Sequence, residues 1–149
     1  MRGIEIRDMG EQDISEVMQI ERISFSTPWS EISFYKEIHK SRAISRVAVL
    51  DEVVVGYSVG EYVIDEGHIL DLAVHPHYRL MHIATMLVED IIKEFYFFMC
   101  RFIYLEVRAS NYMALRLYRN LGFTDVGVRK WYYIAPKEDA LIMMRELQR

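Results

Sequence analysis

The stretch from His68 to Ala109 constrains the fold more than any other part of the chain. Its first run, 68–75, is mostly apolar, as a strand covered on both faces would be, and it stops at Pro76. Residues 82–98 then place Ile83, Leu87, Ile91, Phe95 and Phe98 on one stripe, with Thr85, Glu89, Asp90, Lys93 and Glu94 mostly elsewhere. That is the period of an amphipathic helix. Residues 101–109 return to a strand pattern. Two strands joined through a helix in this way run parallel by a crossover connection. The chain is therefore built on an α/β sheet.

The flanking segments add strands of the other direction. Residues 3–8 read as a short strand with Ile4 and Ile6 on one face, and 11–24 as a helix with Ile14, Val17, Met18 and Ile20 near one side. Ser26-Thr27-Pro28-Trp29-Ser30 breaks that helix, and Ser30 is a good N-cap for a second one reaching about His39. Ala43 to Leu50 and Val53 to Ile64 are β-rich runs joined by a tight turn at Asp51-Glu52. Asn111 caps a short helix to about Asn120, where Gly122 supplies the stop. Two last runs, 124–134 and 139–147, flank Ala135-Pro136-Lys137-Glu138 as an antiparallel pair. The order βααβββαβαββ gives a sheet of mixed strand directions. No repeat or linker interrupts it, so 149 residues read as one domain.

Charge and cysteine content remove several functions. Lys plus Arg is 18 against 22 for Asp plus Glu, a net charge of −4, which argues against affinity built on neutralising many phosphates. Cys100 is the single cysteine, so neither an internal disulfide nor a thiolate-built zinc site is possible. Within Phe97-Phe98-Met99-Cys100 it reads as buried filler, and Phe95 to Met99 as core and strand-entry packing. No run approaches the ~18 apolar residues of a membrane span, and the amino terminus lacks a signal peptide's apolar core. A reducing cytoplasm is the expected setting. No His/Asp/Glu set shows metal-ligand spacing, so no metal is expected.

Two places can carry chemistry. The junction His75-Pro76-His77-Tyr78-Arg79-Leu80-Met81-His82-Ile83-Ala84 joins a strand to the long helix. A helix's first turn offers unpaired N–H groups and the positive end of its dipole, which suit a phosphate, and Arg79 adds a fixed charge. On physics alone an ordinary loop with a surface arginine is the preferred reading. The second place is Glu106, set between Leu105 and Val107 on an interior strand, where a carboxylate is costly without a task or a partner. Its plainer explanation is an ion pair with Arg108, two residues along on the same face.

Arg79-x-x-His82-x-Ala84, opening a helix after Leu72-Ala73-Val74, resembles the acetyl-CoA loop of the GCN5-related N-acetyltransferases, Arg/Gln-x-x-Gly-x-Gly/Ala. Leu105-Glu106-Val107-Arg108-Ala109-Ser110-Asn111, Ala114, Leu117-Tyr118 and Leu121-Gly122-Phe123 resemble the RimI branch of that family. So do Phe25-x-x-Pro28-Trp29-Ser30, Tyr132-Tyr133 and Glu138-Asp139-Ala140. The match spans almost the whole chain in order. One position departs: His82 stands where the family has glycine. Either the loop shifts slightly and still donates its N–H groups, or the imidazole meets a phosphate, or acetyl-CoA binding is lost.

The resemblance implies a GNAT fold, a mostly antiparallel mixed sheet whose central parallel pair splays to bind acetyl-CoA, flanked by about four helices. It implies acetyl transfer to the α-amine of a protein N-terminus, with the N-terminal alanine of a ribosomal protein as the narrower acceptor. Glu106 would be the general base, Tyr118 the acid that protonates the CoA thiolate, and His68 a holder of the catalytic water. Leu72, Ala73 and Val74 would meet the pantetheine, the latter two through their backbones. Arg79, Leu80, Met81, His82, Ile83, Ala84 and Thr85 would cradle the pyrophosphate. Asn111, Ala114, Leu117 and Tyr118 would complete the cofactor wall. Phe25, Pro28, Trp29, Tyr132 and Tyr133 would hold an extended peptide, and Glu138 could draw a positively charged residue of it. Plainer readings stand beside these: rim packing for Trp29, core packing for Tyr118, capping for Asn111, and an exposed strand-end histidine for His68. The implied partner is a protein N-terminal peptide, with no nucleic acid and no membrane, the protein being a monomer or weak homodimer. A lysine side chain or small amine as acceptor, and a binding module disabled at His82, are the competing functions.

Overall fold

The computed structural model describes residues 3–79, 81–134 and 137–148. Its strands are β1 (Glu5–Asp8), β2 (Ala43–Leu50), β3 (Val53–Val63), β4 (Glu66–Val74), β5 (Phe102–Arg108), β6 (Thr124–Ile134) and β7 (Lys137–Glu146). The α-helices are α1 (Ile14–Ser24), α2 (Glu31–Ile38), α3 (Ile83–Phe97) and α4 (Tyr112–Asn120). All seven strands form one sheet in the order β1-β2-β3-β4-β5-β7-β6. The β4–β5 pair joined through α3 is parallel, and every other pair is antiparallel. The crossover expected from residues 68–109 thus sits at the centre of a mixed sheet.

Local chemistry explains the boundaries. Asp51 and Glu52 both take positive φ, 50° and 67°, the mirror-image turn that matches the twist of a hairpin. Ser30 accepts from the Ser33 N–H at 3.1 Å and Asn111 from the Ala114 N–H at 3.2 Å, so both expected caps form. One face of the sheet packs α1 and α2 through Val17, Ile20 and Phe34 against Val47, Tyr57, Val59 and Ala73. The other packs α3 and α4 through Val88, Ile91, Phe95, Leu115 and Tyr118 against Ile103, Leu105 and Val107.

Two expectations need correction. The run Phe95 to Met99 is not all core: Phe95 is fully buried, whereas Phe97 is 73% and Met99 65% exposed. The helix ends at Phe97, and Met99 turns the chain back with φ 67°, so only Phe95 stays in phase with Ile83, Leu87 and Ile91. His68 does not open its strand either. Ile64 takes the turn at φ 56°, β4 starts at Glu66, and His68 is its third residue. Among the described residues no helix is long and apolar enough to cross a membrane, and no group of three acidic, His or Cys side chains could hold a metal.

Candidate active site

The site begins where the central pair comes apart. β4 and β5 pair only from Glu66↔Phe102 to His68↔Tyr104. Just beyond, Gly60 faces Ile69 while Val59 faces Asp71, so Leu70 is an extra residue in β4. Such a bulge bends its strand and ends pairing on that side. β5 meanwhile keeps β7 along its whole length, to Arg108↔Ala140. Each strand holds its outer neighbour and the sheet opens between them. A cavity of about 500 Å³ occupies the opening, bounded by Phe25, Trp29, Leu72, Val107, Asn111 and Tyr118. A second, of about 390 Å³, adjoins it between His68, Tyr104, Arg129, Tyr132 and Tyr133. Glu106 lines both.

Alternation on β5 sets the chemistry. Ile103, Leu105 and Val107 point into the α3–α4 core, which leaves Tyr104, Glu106 and Arg108 on the opposite face. Glu106 does not pair with Arg108. Its Oε1 lies 2.8 Å from Arg129 Nε on β6, and the Arg129 guanidinium is 5.5 Å from the Tyr132 ring centroid. Arg108 instead lies 3.2 Å from Glu138, donates to the Ser26 hydroxyl at 3.1 Å, and covers the Tyr133 ring at 4.2 Å. Residues two apart on a strand stand roughly 7 Å apart with parallel side chains, so each finds a partner on another element.

Tyr118 approaches from the other face. It is buried beside Phe123, at 5.6 Å between ring centroids. Burial first, and then the nearby Asp71 carboxyl, hold its hydroxyl above the ordinary phenol range, so it keeps its proton at neutral pH. His68 is half-buried, 3.6 Å from Glu66 and stacked on Tyr104 at 5.6 Å, and it shares the smaller cavity with Glu106.

The α3 junction enters its helix through a left-handed residue. His82 takes φ 60° and ψ 21°, the left-handed region that glycine favours, immediately before the first helical residue. The loop thus keeps its glycine-like conformation with a histidine in place. The Met86 N–H bonds back to the His82 carbonyl, while the N–H groups of Ile83, Ala84 and Thr85 precede the first helical acceptor. The Ile83 side chain is 1% exposed and belongs to the core, so only its backbone faces a ligand. Arg79 Nε donates to the Val74 carbonyl at 3.3 Å, and Met81 and His82 are exposed. Leu80 lies outside the described residues. Ala73 and Val74 pair with Tyr57 and Gly56 of β3, and β5 does not pair with them on the other side. Ala114 lines the larger cavity, whereas Leu117 packs against the core.

Of the residues expected to hold an acceptor, Phe25, Trp29 and Tyr133 line the cavities, Tyr132 the smaller one, and Pro28 is exposed and lines neither. Glu138 is already engaged: besides Arg108 it accepts from the Ser110 N–H at 2.9 Å and hydroxyl at 3.1 Å. Those bonds tie the start of α4 to β7 and hold Glu138 below the usual carboxylate range.

Three residues of the site escape a reading of the sequence alone. Arg129 is one. The others are acids: Glu21 of α1 is 1% exposed and Asp71 of β4 8%. Glu21 accepts from the Tyr57 hydroxyl on one oxygen and from the Trp29 N–H at 2.9 Å on the other. Asp71 contacts Glu21, and its Oδ2 is buried without a donor among the described residues. Burial and Glu21 push the Asp71 carboxyl up to about 10. The signal was present, since Asp71 interrupts Ile69-Leu70-Leu72-Ala73 just as Glu106 interrupts its own strand.

Comparison with known proteins follows the same lines. Residues 14–123 match the acetyltransferase (GNAT) family profile. The ribosomal protein bS18-alanine N-acetyltransferase of Salmonella typhimurium is 32% identical over 133 residues, covering 88% of this chain and 89% of that protein. An N-alpha-acetyltransferase of Saccharolobus solfataricus is 33% identical over 159 residues, covering 98% and 95%. The crystal structure of the ribosomal-protein-S18-alanine N-acetyltransferase from Escherichia coli superposes with a TM-score of 0.91 at 28% identity, covering 99% of this chain and 96% of that one.

Proposed function

This chain belongs to the acetyltransferase (GNAT) family, and from that premise we propose that it moves an acetyl group from acetyl-CoA to the α-amine of a protein N-terminus. The observation that carries the reading is the place of Glu106, a carboxylate at the meeting of two cavities that open from one break in the sheet. One cavity suits a cofactor arm and the other an incoming chain.

The residues present fit acetyl-CoA. The unpaired edge of β4 at Ala73 and Val74 can take amide groups as an added strand would. The left-handed residue at His82 and the orphan N–H groups of α3 suit a pyrophosphate, with Arg79 beside them. When bound, acetyl-CoA supplies an activated thioester.

The chain's own groups then handle charge and protons. An α-amine has a pKa of about 7.7–8.0 and arrives mostly as ammonium. That cation takes the place of the Arg129 guanidinium at Glu106. Glu106 accepts one ammonium proton, and the neutral nitrogen forms the C–N bond as the C–S bond breaks, its second proton passing to water, from which Tyr118 is later restored. Tyr118, which holds its proton, donates it to the departing sulfur. No acyl-enzyme is needed, and the fully buried Cys100 has no place in one. Trp29, Tyr132 and Tyr133 form apolar walls for the first residues of the acceptor.

The acceptor named for the Salmonella relative, a ribosomal protein N-terminal alanine, is the narrower candidate, and the Saccharolobus relative's name carries no such restriction. Short peptides beginning with Ala, Ser, Met or Gly, incubated with acetyl-CoA and read by mass spectrometry, test the proposal. An α-acetylated product supports it, and the spread over the four shows the breadth. Acetylation confined to internal lysines or free amines overturns it.

A further inference from the structure

A buried acid pair at the floor of the larger cavity has no part in the proton transfers above. Glu21 comes from α1 and Asp71 from β4 immediately after the bulge, and both line that cavity. Glu21 has each oxygen occupied by a donor: the Tyr57 hydroxyl on β3 and the backbone N–H of Trp29 at 2.9 Å. Asp71 has the opposite situation. Its Oδ2 is buried with no donor among the described residues, while its near neighbour Glu21 is another acid. Two adjacent buried carboxylates with no cation beside them among the described residues repel, and one proton shared between them removes the repulsion.

We infer that Asp71 carries a proton and donates it to Glu21, and that the pair fastens the Trp29 loop, the wall of the acceptor site, to the strand that opens the cofactor wedge. The inference rests on the proposed acetyl transfer only for its kinetic readout. These are positioning residues, acting through the Trp29 loop that Glu21 holds. The titratable groups around the pair are Tyr57 on β3 and Tyr118 on α4, both held protonated first by burial. Trp29 is the part of the loop that Glu21 holds, through its backbone N–H, and its ring lines the acceptor cavity, so a loosened loop alters acceptor binding.

Asp71→Asn separates the possibilities, because an amide N–H₂ can donate to Glu21 where a protonated carboxyl did and an ionised one could not. Asp71→Ala removes the donor. Asp71→Asn should leave the acceptor KM within about twofold, whereas Asp71→Ala should raise it about five- to thirtyfold, the loss of a hydrogen bond or two. The acetyl-CoA Kd should stay within about twofold in both. An Asn variant as impaired as Ala overturns the shared proton, and an unchanged acceptor KM in Asp71→Ala overturns the positioning role. Carbon-13 NMR of the Asp71 carboxyl in the wild-type protein is the second measurement, independent of folding in the variants. A neutral-acid shift at pH 7 supports the pair, and a carboxylate shift overturns it. If the wild type acetylates a small amine instead of a peptide, the failure belongs to the acceptor assignment, and the NMR result still decides the pair.

Discussion

His82→Gly tests whether the α3 loop is held by backbone conformation or by the imidazole. His82 sits at φ 60° and ψ 21°, and its side chain makes no capping hydrogen bond. A residue with a Cβ in that region costs about 1–2 kcal/mol, and glycine avoids the clash. Glycine also frees the unfolded chain, which costs about 0.4–1 kcal/mol. The net effect is between no change and a gain of about 1.5 kcal/mol. For a chain near 150 residues a gain of 1 kcal/mol is worth about 2–4 °C, so Tm should rise by up to about 6 °C. His82→Ala keeps the backbone cost without the ring and should melt no higher than wild type. Calorimetric titration with acetyl-CoA supplies the second half of the test. If the loop acts through its N–H groups, glycine binds acetyl-CoA at least as tightly as histidine, because no side chain flanks the phosphates. A His82→Gly protein destabilised by more than about 1 kcal/mol, or binding acetyl-CoA tenfold more weakly alongside an equally weakened His82→Ala, would refute the reasoning and give the imidazole a direct contact.

The remaining expectations concern single groups. Glu106→Gln should lower kcat/KM for the acceptor by about 10²–10⁴, the usual range for a general base, while acetyl-CoA affinity holds; an unchanged rate removes Glu106 from the proton transfer. Gly67→Ala would put a Cβ 2.8 Å from the Phe95 ring, and with Phe95 fully buried the fold should lose about 1–3 kcal/mol in urea melts. Asp71 makes stability pH-dependent: its folded pKa is raised to about 10 from 3.8, so the native state binds a proton that the unfolded chain has released. That contribution is complete below about 4 and declines as pH climbs towards 10, so Asp71→Asn should gain on wild type between pH 5 and pH 9. A stability difference independent of pH contradicts it.

Periodicity and capping chemistry made the framework legible. The stripe of Ile83, Leu87, Ile91 and Phe95 fixed a helix between two apolar runs, and the crossover rule made those runs parallel neighbours. Ser30, Asn111 and the Asp51-Glu52 turn announced local geometry because a short polar side chain or a tight reversal acts within a few residues. The partner of Glu106 was not legible for the converse reason. Arg129 lies on β6, which is separated from β5 by β7, and a contact across two ladders depends on registers and twist that spacing along the chain does not carry. Phe97 and Met99 were misplaced because hydrophobicity marks what tends to be buried, while one positive-φ residue decides where a helix stops.

The bulge at Leu70 accounts for most of what the sequence concealed at the site itself. Before it, His68 faces the smaller cavity and Ile69 the α3 core. In an unbroken strand Asp71 would share the Ile69 face and Leu72 the His68 face. One extra residue inverts that phase: Leu72 packs on the α3 side, Ala73 on the α1 side, and Asp71 arrives beside Glu21 and Tyr57. The same residue ends pairing with β5 and so opens the wedge. The opening of the sheet and the delivery of a buried acid to its floor are therefore one structural event. A change that restored regular pairing at Leu70 would close the wedge and turn Asp71 into the apolar core together, which ties the shape of the site to its electrostatics.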